Sequence, residues 1–504
     1  MAKSIMIQGT MSNAGKSLIA AGLCRIFKQD GYKVAPFKSQ NMALNSYVTS
    51  EGLEMGRAQV VQAMAAGVEP SVRMNPILLK PTTDMGSQVI VQGQVVGNMR
   101  AMDYFAKKKE YIPVIRESYE QLAADHDIIV IEGAGSPAEI NLKQDDIVNM
   151  GMAKIADAPV LLVGDIDRGG VFAQLIGTVM LLEPEEQARI KGLIVNKFRG
   201  DKKILDPGIT MLEERAGKPV LGVVPYADVD IEDEDSLASS LEETHIQAEI
   251  DVAVIRFPRI SNFTDMQALG MERDVSVRYV TKPSELGEPD VILLPGTKNT
   301  IQDLLWLRES GLEAKIKRLA KKGTIVFGIC GGYQMLGESL MDPLQTESAL
   351  GSVRGMGLLP VTTVFEEEKQ LENRAYRIGI LEGNFVSLSN KKIAGYEIHM
   401  GRTEVAGKTT TPIYPFVSDS AGTVLGYTAG TVAGSYIHGI FDEIAFREAF
   451  IELLYARKGK TRGESEHLTL QEYREQQFDK LAQVLRESLD MEKIYEILGL
   501  IKQG

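Results

Sequence analysis

A short apolar run at residues 4–8 stops at Gly9, and a helical pattern opens at Ser17, with Gly15-Lys16-Ser17 at the join. A buried strand that passes through a tight glycine turn into a helix belongs to a parallel sheet covered on both faces. The helical stretch, 17–29, places Ile19, Leu23, Ile26 and Phe27 at helical spacing and stops at Gly31. The alternation continues through apolar runs at 33–37, 127–131, 160–163, 192–195 and 220–224. At 227–243 the chain turns acidic and Ser-bearing, which reads as a domain boundary. A second series of runs follows at 251–257, 277–280, 291–294 and 324–328. The expectation is two doubly wound α/β domains, 1–230 and 250–445, joined by a linker at 231–249 and followed by a helical extension at 446–504. In that extension Phe478, Leu481, Leu485 and Leu489 make an apolar face, expected to pack on the second domain.

Composition removes several function classes. The 504 residues are too many for one core, and the formal net charge is −13, which argues against non-specific nucleic-acid binding. Two cysteines, Cys24 and Cys330, are no disulfide framework and fit a reducing cytosol. The N-terminus has no cleavable-leader pattern, and no apolar run is long enough to span a bilayer, so a cytoplasmic protein with no membrane contact is expected. The oligomeric state is left open.

Two segments carry chemistry. The first runs Gly-Thr-Met-Ser-Asn-Ala-Gly-Lys-Ser from Gly9 to Ser17 and resembles a P-loop, with five residues rather than four between Gly9 and Gly15. Backbone amides from Gly9, Thr10, Asn13 and Gly15 can cradle phosphate, Lys16 can reach the outer phosphates, and Ser17 can ligate Mg²⁺. Glu132, in Val-Ile-Glu-Gly-Ala-Gly, closes another apolar run, where open α/β sheets place ligands, and a carboxylate there can hold Mg²⁺. With the unusual spacing, these two segments resemble the dethiobiotin synthetase family. That resemblance implies ATP and Mg²⁺ as cofactors, Glu54 as a second Mg²⁺ ligand, Lys38 near the γ-phosphate and Asn196 as a nucleobase contact.

The second segment is Thr-Ile-Val-Phe-Gly-Ile-Cys-Gly-Gly-Tyr-Gln at 324–334. A strand that breaks at Gly-x-Cys-x-Gly projects its cysteine at a helix N-terminus, where thiolate is favoured. Cys24 sits at a helical core spacing and reads as structural. The Gly331 amide, with one near Gly296 in Leu-Pro-Gly-Thr, can meet a tetrahedral oxyanion. Of the five histidines (126, 245, 399, 438 and 467), His438 in Tyr-Ile-His-Gly-Ile-Phe is the expected base. His399, in Gly-Tyr-Glu-Ile-His-Met-Gly-Arg, is a second candidate, read as structural or interdomain.

Pro-Gly-Thr, the Cys330 elbow and the His438 segment resemble a class I glutamine amidotransferase domain of flavodoxin-like type. That family commonly has His-x-Glu. Here the residue two after His438 is Ile440, so a Cys–His dyad is expected. Both halves together, with Glu-Gly-Ala-Gly-Ser-Pro-Ala-Glu-Ile-Asn-Leu at 132–142 and Asp-Ile-Asp-Arg-Gly-Gly-Val-Phe at 165–172, resemble the cobyric acid synthase family. The resemblance implies glutamine and a corrinoid, adenosylcobyrinic acid a,c-diamide, as partners, with amidation of its b, d, e and g carboxylates. Arg168 in that second segment is a candidate partner for a substrate carboxylate, or a structural loop residue. Two alternatives remain at this point: an amidotransferase acting on another polycarboxylate, such as the a,c-diamide synthase or a cell-wall amidating enzyme, and a P-loop partitioning or regulatory ATPase.

Overall fold

The computed structural model describes residues 2–83, 86–232, 248–407, 411–463 and 468–500. Residues 233–247 of the expected linker, including His245, lie outside the described residues, and so does His467. The chain forms two compact units. One comprises residues 1–42, 54–232 and 474–504, the other 43–53 and 233–473.

The first unit is built on β1 (Lys3–Gly9), β2 (Val34–Phe37), β3 (Ile128–Glu132), β4 (Val160–Asp165), β5 (Ile190–Phe198) and β6 (Val220–Pro225). They form a parallel sheet in the order β6-β5-β4-β1-β3-β2. Every residue of β3 and β4 is buried, as continuous Ile/Val/Leu runs require when helices cover both faces. Gly9, Glu132 and Asp165 all fall at strand carboxyl ends. Helix α1 (Lys16–Gln29) follows β1 across the loop 10–15, and α2 (Arg57–Ala66) lies farther along. A second sheet of four strands, Gln40–Met42, Ile77–Thr83, Gly86–Val91 and Gln94–Arg100, completes the unit, and no reading of the sequence marks it.

The second unit has a parallel core of β7 (Ile250–Ile255), β8 (Val275–Val280), β9 (Val291–Leu294), β10 (Ile325–Ile329) and β11 (Val432–Ser435), in the order β8-β7-β9-β10-β11. Beyond β11 the sheet turns mostly antiparallel and reaches 11 strands, among them the long pair Val361–Ile378 and Lys392–Val405. The carboxyl ends of β7, β9, β10 and β11 lead into residues 256–265, Pro295-Gly296-Thr297, Cys330 and His438.

The C-terminal helix Leu470–Ser488 corrects one expectation. Its face of Phe478, Leu481, Ala482 and Leu485, with Leu489, joins Ile19, Leu23 and Ile26 of α1 in the core of the first unit, not the second. Gly22 explains the fit: a Cβ there would stand 2.3 Å from Leu485 Cδ1, so the missing side chain makes the groove that Leu485 fills. Arg25 fixes the register by pairing with Glu475 and Asp479, each at 2.7 Å.

Candidate active sites

In the second unit, Cys330 sits between β10 and helix α3 (Gly331–Leu336) with φ 50° and ψ −111°, a strained turn. Its amide donates to Ser435 O on β11 at 2.8 Å, which fixes the turn against the sheet. The glycine after next is required by space, since a Cβ on Gly332 would lie 2.0 Å from Leu294 O. Cys330 is 9% exposed, its Sγ lies 3.7 Å from Ile398 O, and it acts electrostatically on His438.

His438 does not work as one half of a pair. Its Nδ1 donates to Asp265 Oδ2 at 2.7 Å, and the Gly439 amide donates to the other carboxylate oxygen at 2.9 Å. Both side chains are buried. The expected Cys–His dyad with no acid is thus corrected: Asp265, in a turn 173 residues upstream, partners the His438 ring. Asp265 is held there because Asn262, at φ 52°, begins the turn that carries it. Asn262 in turn bonds Asn45 Oδ1, Ser46 and the Tyr396 hydroxyl. With Nδ1 committed to Asp265, Nε2 is the nitrogen left for the thiol. Burial works against a charged ring, but the Asp265 carboxylate, by its field and its hydrogen bond, with a contribution from Cys330, pushes the His438 imidazolium up to about 10.

Gly296 packs on this ring: a Cβ there would lie 3.1 Å from His438 Cε1. Gly331 opens α3, whose first-turn amides have no intrahelical acceptor. His399 is close by, on the strand whose Ile398 carbonyl faces the thiol. Its ring stacks on Tyr436 at 3.7 Å, and its Nε2 lies 3.1 Å from Glu397. Tyr396 also stacks on His438, with centroids 5.3 Å apart. His126 takes no part in this centre; its Nδ1 bonds Leu122 O within its own helix turn.

In the first unit Ser17 Oγ donates to Glu132 Oε1 at 2.8 Å, and Lys38 Nζ meets the same oxygen at 3.0 Å. Gln62 of α2 donates to the other oxygen, Oε2, a contact no sequence signal marked. Lys16 Nζ spans the loop from Met11 O to Gly135 O, at 3.0 and 3.1 Å. Gly9 lies against the Lys16 stem, Thr10 Oγ1 donates to Gln174, and Asn13 is left-handed with its carbonyl held by Lys197 Nζ. Gly15 has φ 97°, and a Cβ there would collide with Asn196 Nδ2 at 2.0 Å. Asn196 itself is buried and donates to Ala14 O at 2.9 Å, so it props the phosphate loop from behind. Glu54 pairs with Lys80 at 2.9 Å. Arg168 is largely exposed and 4.0 Å from Asp165. Cys24 is fully buried, and burial, with the Glu132 charge, pushes its thiol well up, as its core reading requires.

Ser17 and Glu132 present hard oxygen donors in contact, a set suited to Mg²⁺, which takes one or two carboxylates and otherwise water and phosphate oxygens. Among the described residues no group of three or more His, Cys, Asp or Glu forms a metal cage, so phosphate would have to supply the rest. No helix among the described residues is long and apolar enough to cross a membrane.

Comparison with known proteins agrees with this two-centre layout. Residues 5–237 match the CobQ/CobB/MinD/ParA nucleotide binding domain, and residues 251–446 match the CobB/CobQ-like glutamine amidotransferase domain. The cobyric acid synthase of Lachnoclostridium phytofermentans is 59% identical over 512 aligned residues, covering 99% of each chain. Those of Ruminiclostridium cellulolyticum and Clostridium acetobutylicum are 55% and 53% identical, covering 99% and 98% of this chain and 97% and 99% of theirs. On whole-length identity and both domain matches, the chain belongs to the cobyric acid synthase family, glutamine-dependent amidating enzymes.

Proposed function

We propose that the chain uses ATP and glutamine to convert the b, d, e and g carboxylates of adenosylcobyrinic acid a,c-diamide into amides. Residues 1–230 serve as the synthetase domain, 250–445 as the glutaminase and 446–504 as the C-terminal extension. The observation that carries the reading is Cys330 beside the hydrogen-bonded His438–Asp265 pair at the carboxyl edge of a parallel sheet. Such a set is what nitrogen release from an amide needs.

In this reading the Cys330 thiolate attacks the glutamine side-chain carbonyl. The Gly331 and Gly296 amides meet the oxyanion, and His438 Nε2 passes its proton to the departing ammonia. Asp265 keeps the ring oriented and stabilises its charged form. Water then cleaves the γ-glutamyl thioester, with His438 as base, returning the thiol. In the synthetase domain a carboxylate oxygen of the corrinoid attacks the γ-phosphorus of ATP, ADP leaves, and an acyl phosphate forms. Ammonia displaces phosphate from it to give the amide. Lys16 and Lys38 neutralise the transferring phosphoryl oxygens, and the Gly9–Ser17 amides cradle the phosphates. Ser17, Glu132 and Glu54 would hold Mg²⁺, which when bound supplies charge neutralisation across the phosphates. Asn196 contacts the nucleobase, and Arg168 meets a substrate carboxylate.

The test is Cys330→Ala, assayed on corrinoid carboxylates with product analysis by mass. Amidation must vanish with glutamine as donor and persist with ammonium salts. Persistence with glutamine, or loss with both donors in a folded variant, contradicts the assignment.

A further inference from the structure

The Pro295-Gly296-Thr297 turn leaves β9 beside the thiol centre, and one side chain fixes it. Asp303, on the helix Thr300–Glu309, is fully buried. Its Oδ2 accepts from Thr297 Oγ1 at 2.5 Å and from the Arg259 amide at 3.1 Å, and the Arg259 guanidinium stands 3.6 Å from Oδ1 as counter-charge. The Asn299 amide donates to the same Thr297 oxygen at 3.2 Å, so that hydroxyl is held from both sides. Two further bonds join this turn to the loop that carries Asp265: Ser261 N donates to Gly296 O at 2.9 Å, and Lys298 N to Arg259 O at 3.0 Å. From one oxygen, Asp303 thus holds both loops that meet at His438.

These bonds decide which way one peptide faces. The Gly296–Thr297 bond is trans, so its C=O and its N–H point to opposite sides. With the carbonyl taken by Ser261, the Thr297 N–H is turned the other way. Its nitrogen lies 3.2 Å from where a Cβ on Gly331, the residue after the nucleophile, would stand. That N–H donates to no acceptor among the described residues, although Thr297 is only 8% exposed. A buried amide without an acceptor is rare and costly, and next to a thiol that attacks a carbonyl an acceptor arises during the reaction. Asp303 carries a cost of its own: burial pushes its carboxyl up to about 6, against the Thr297 and Arg259 contacts that favour its charge. An apolar side chain would join a helix to a loop without that cost, but it would direct no hydrogen bond. Resting on the thiol reading above, we infer that Asp303 is a positioning residue of the glutaminase: through Thr297 Oγ1 and the Arg259 amide it locks the Gly296–Thr297 peptide so that the Thr297 N–H joins the donors to the oxyanion. The donor is set before glutamine arrives, and Asp303 acts only through that peptide.

The test uses the full chain with Asp303→Leu, which fills the space and removes the acceptors, and Asp303→Asn, whose one carbonyl oxygen can keep both bonds now made by Oδ2. Steady-state glutamine hydrolysis gives kcat and KM. Alkylation of Cys330 by iodoacetamide gives thiol reactivity apart from the oxyanion, because iodide is displaced at a saturated carbon. Asp303→Leu should lose about 100-fold or more in kcat, the scale of one oxyanion donor, with KM and alkylation rate within about threefold of the parent. Asp303→Asn should stay within about tenfold of the parent in kcat. Thr297→Val, which deletes the hydroxyl and keeps the amide, should follow Asp303→Leu, and Thr297→Ser should retain at least about tenfold more activity than Thr297→Val. If Asp303→Leu does not fold, the Thr297 pair decides the matter. A parallel fall in alkylation and kcat, a loss confined to KM, or an Asp303→Asn variant as poor as Asp303→Leu overturns the inference and leaves Asp303 a structural tie. The underlying reading is checked separately in the parent: glutamine hydrolysis that survives complete alkylation of Cys330 removes the thiol mechanism, whatever the Asp303 variants do.

Discussion

Replacing Asp265 with asparagine keeps size and shape while removing the charge that His438 leans on. In the native protein the imidazolium survives to about pH 10 in a site whose burial alone would lower it below 6.5. The rise from 6.5 to about 10 amounts to roughly 5 kcal/mol of preference for the charged ring, with Asp265 the largest favourable contribution. In the variant burial is opposed only by the contribution of Cys330, so the imidazolium falls far below its native value, and the substituted amide, which can donate as well as accept, no longer dictates the tautomer. Glutamine hydrolysis should lose about 10²- to 10⁴-fold in kcat/KM, the range expected when a buried acid behind a catalytic histidine is neutralised. The loss should fall on kcat, with KM for glutamine within about threefold, because Asp265 touches the histidine and not the substrate. A steady-state glutaminase assay from pH 5.5 to 10.5 reads both effects. The alkaline limb, set by loss of the imidazolium proton, should move well down from near pH 10. Activity within threefold of the parent, with the alkaline limb unmoved, would refute the reasoning and return the centre to a dyad.

The same pair makes stability depend on pH. Its contribution is complete below pH 6.5, the unperturbed value, and is lost as pH rises through about 10, so urea midpoints should fall over that window in the parent and much less in Asp265→Asn. Lys16→Ala should abolish amidation with either nitrogen donor while glutamine hydrolysis by the separate thiol centre persists; equal loss of both activities would contradict two centres. Leu485→Ala, at a fully buried position against Gly22, should cost about 2–5 kcal/mol by urea denaturation, and a cost under about 1 kcal/mol would mean that the C-terminal helix is not part of that core.

What sequence disclosed and what it withheld divide along physical lines. The apolar runs read from the sequence are all strands, because a strand buried on both faces must be continuously apolar and that signal is local. The phosphate loop and the thiol turn are equally legible, since the left-handed backbone at Gly15 and the collision with Leu294 O at Gly332 favour glycine. The long pair Val361–Ile378 and Lys392–Val405 escapes such a reading because its middle, Glu-Glu-Glu-Lys-Gln, has no apolar alternation. The amphipathic C-terminal helix advertises a buried face but not its partner. That information lies in α1, in a glycine at mid-helix that propensity alone disfavours.

Asp265 is hidden for a different reason, and one that bears on how such centres are built. A catalytic histidine requires a carboxylate on Nδ1 in space and is indifferent to where along the chain it originates. Here the position two past His438 is filled by Ile440, fully buried in the apolar core, so an acid there would face hydrocarbon and not the ring. The loop after β7 fills the role instead, and its Asn262, clamped by Asn45, Ser46 and Tyr396, shows that the substitute is held as firmly as a residue in the usual place. A sequence signal did exist: a polar Ser-Asn-Phe-Thr-Asp stretch just beyond a strand's carboxyl end, in the region where parallel sheets gather their reactive groups. The environments of the two cysteines make the complementary point. Cys24, sealed in the core near Glu132, is held as an inert thiol, whereas Cys330 stands at a strained turn beside the charged His438 ring. The residue type is the same, and the reactivity follows from which charge faces the sulfur and whether water can reach it.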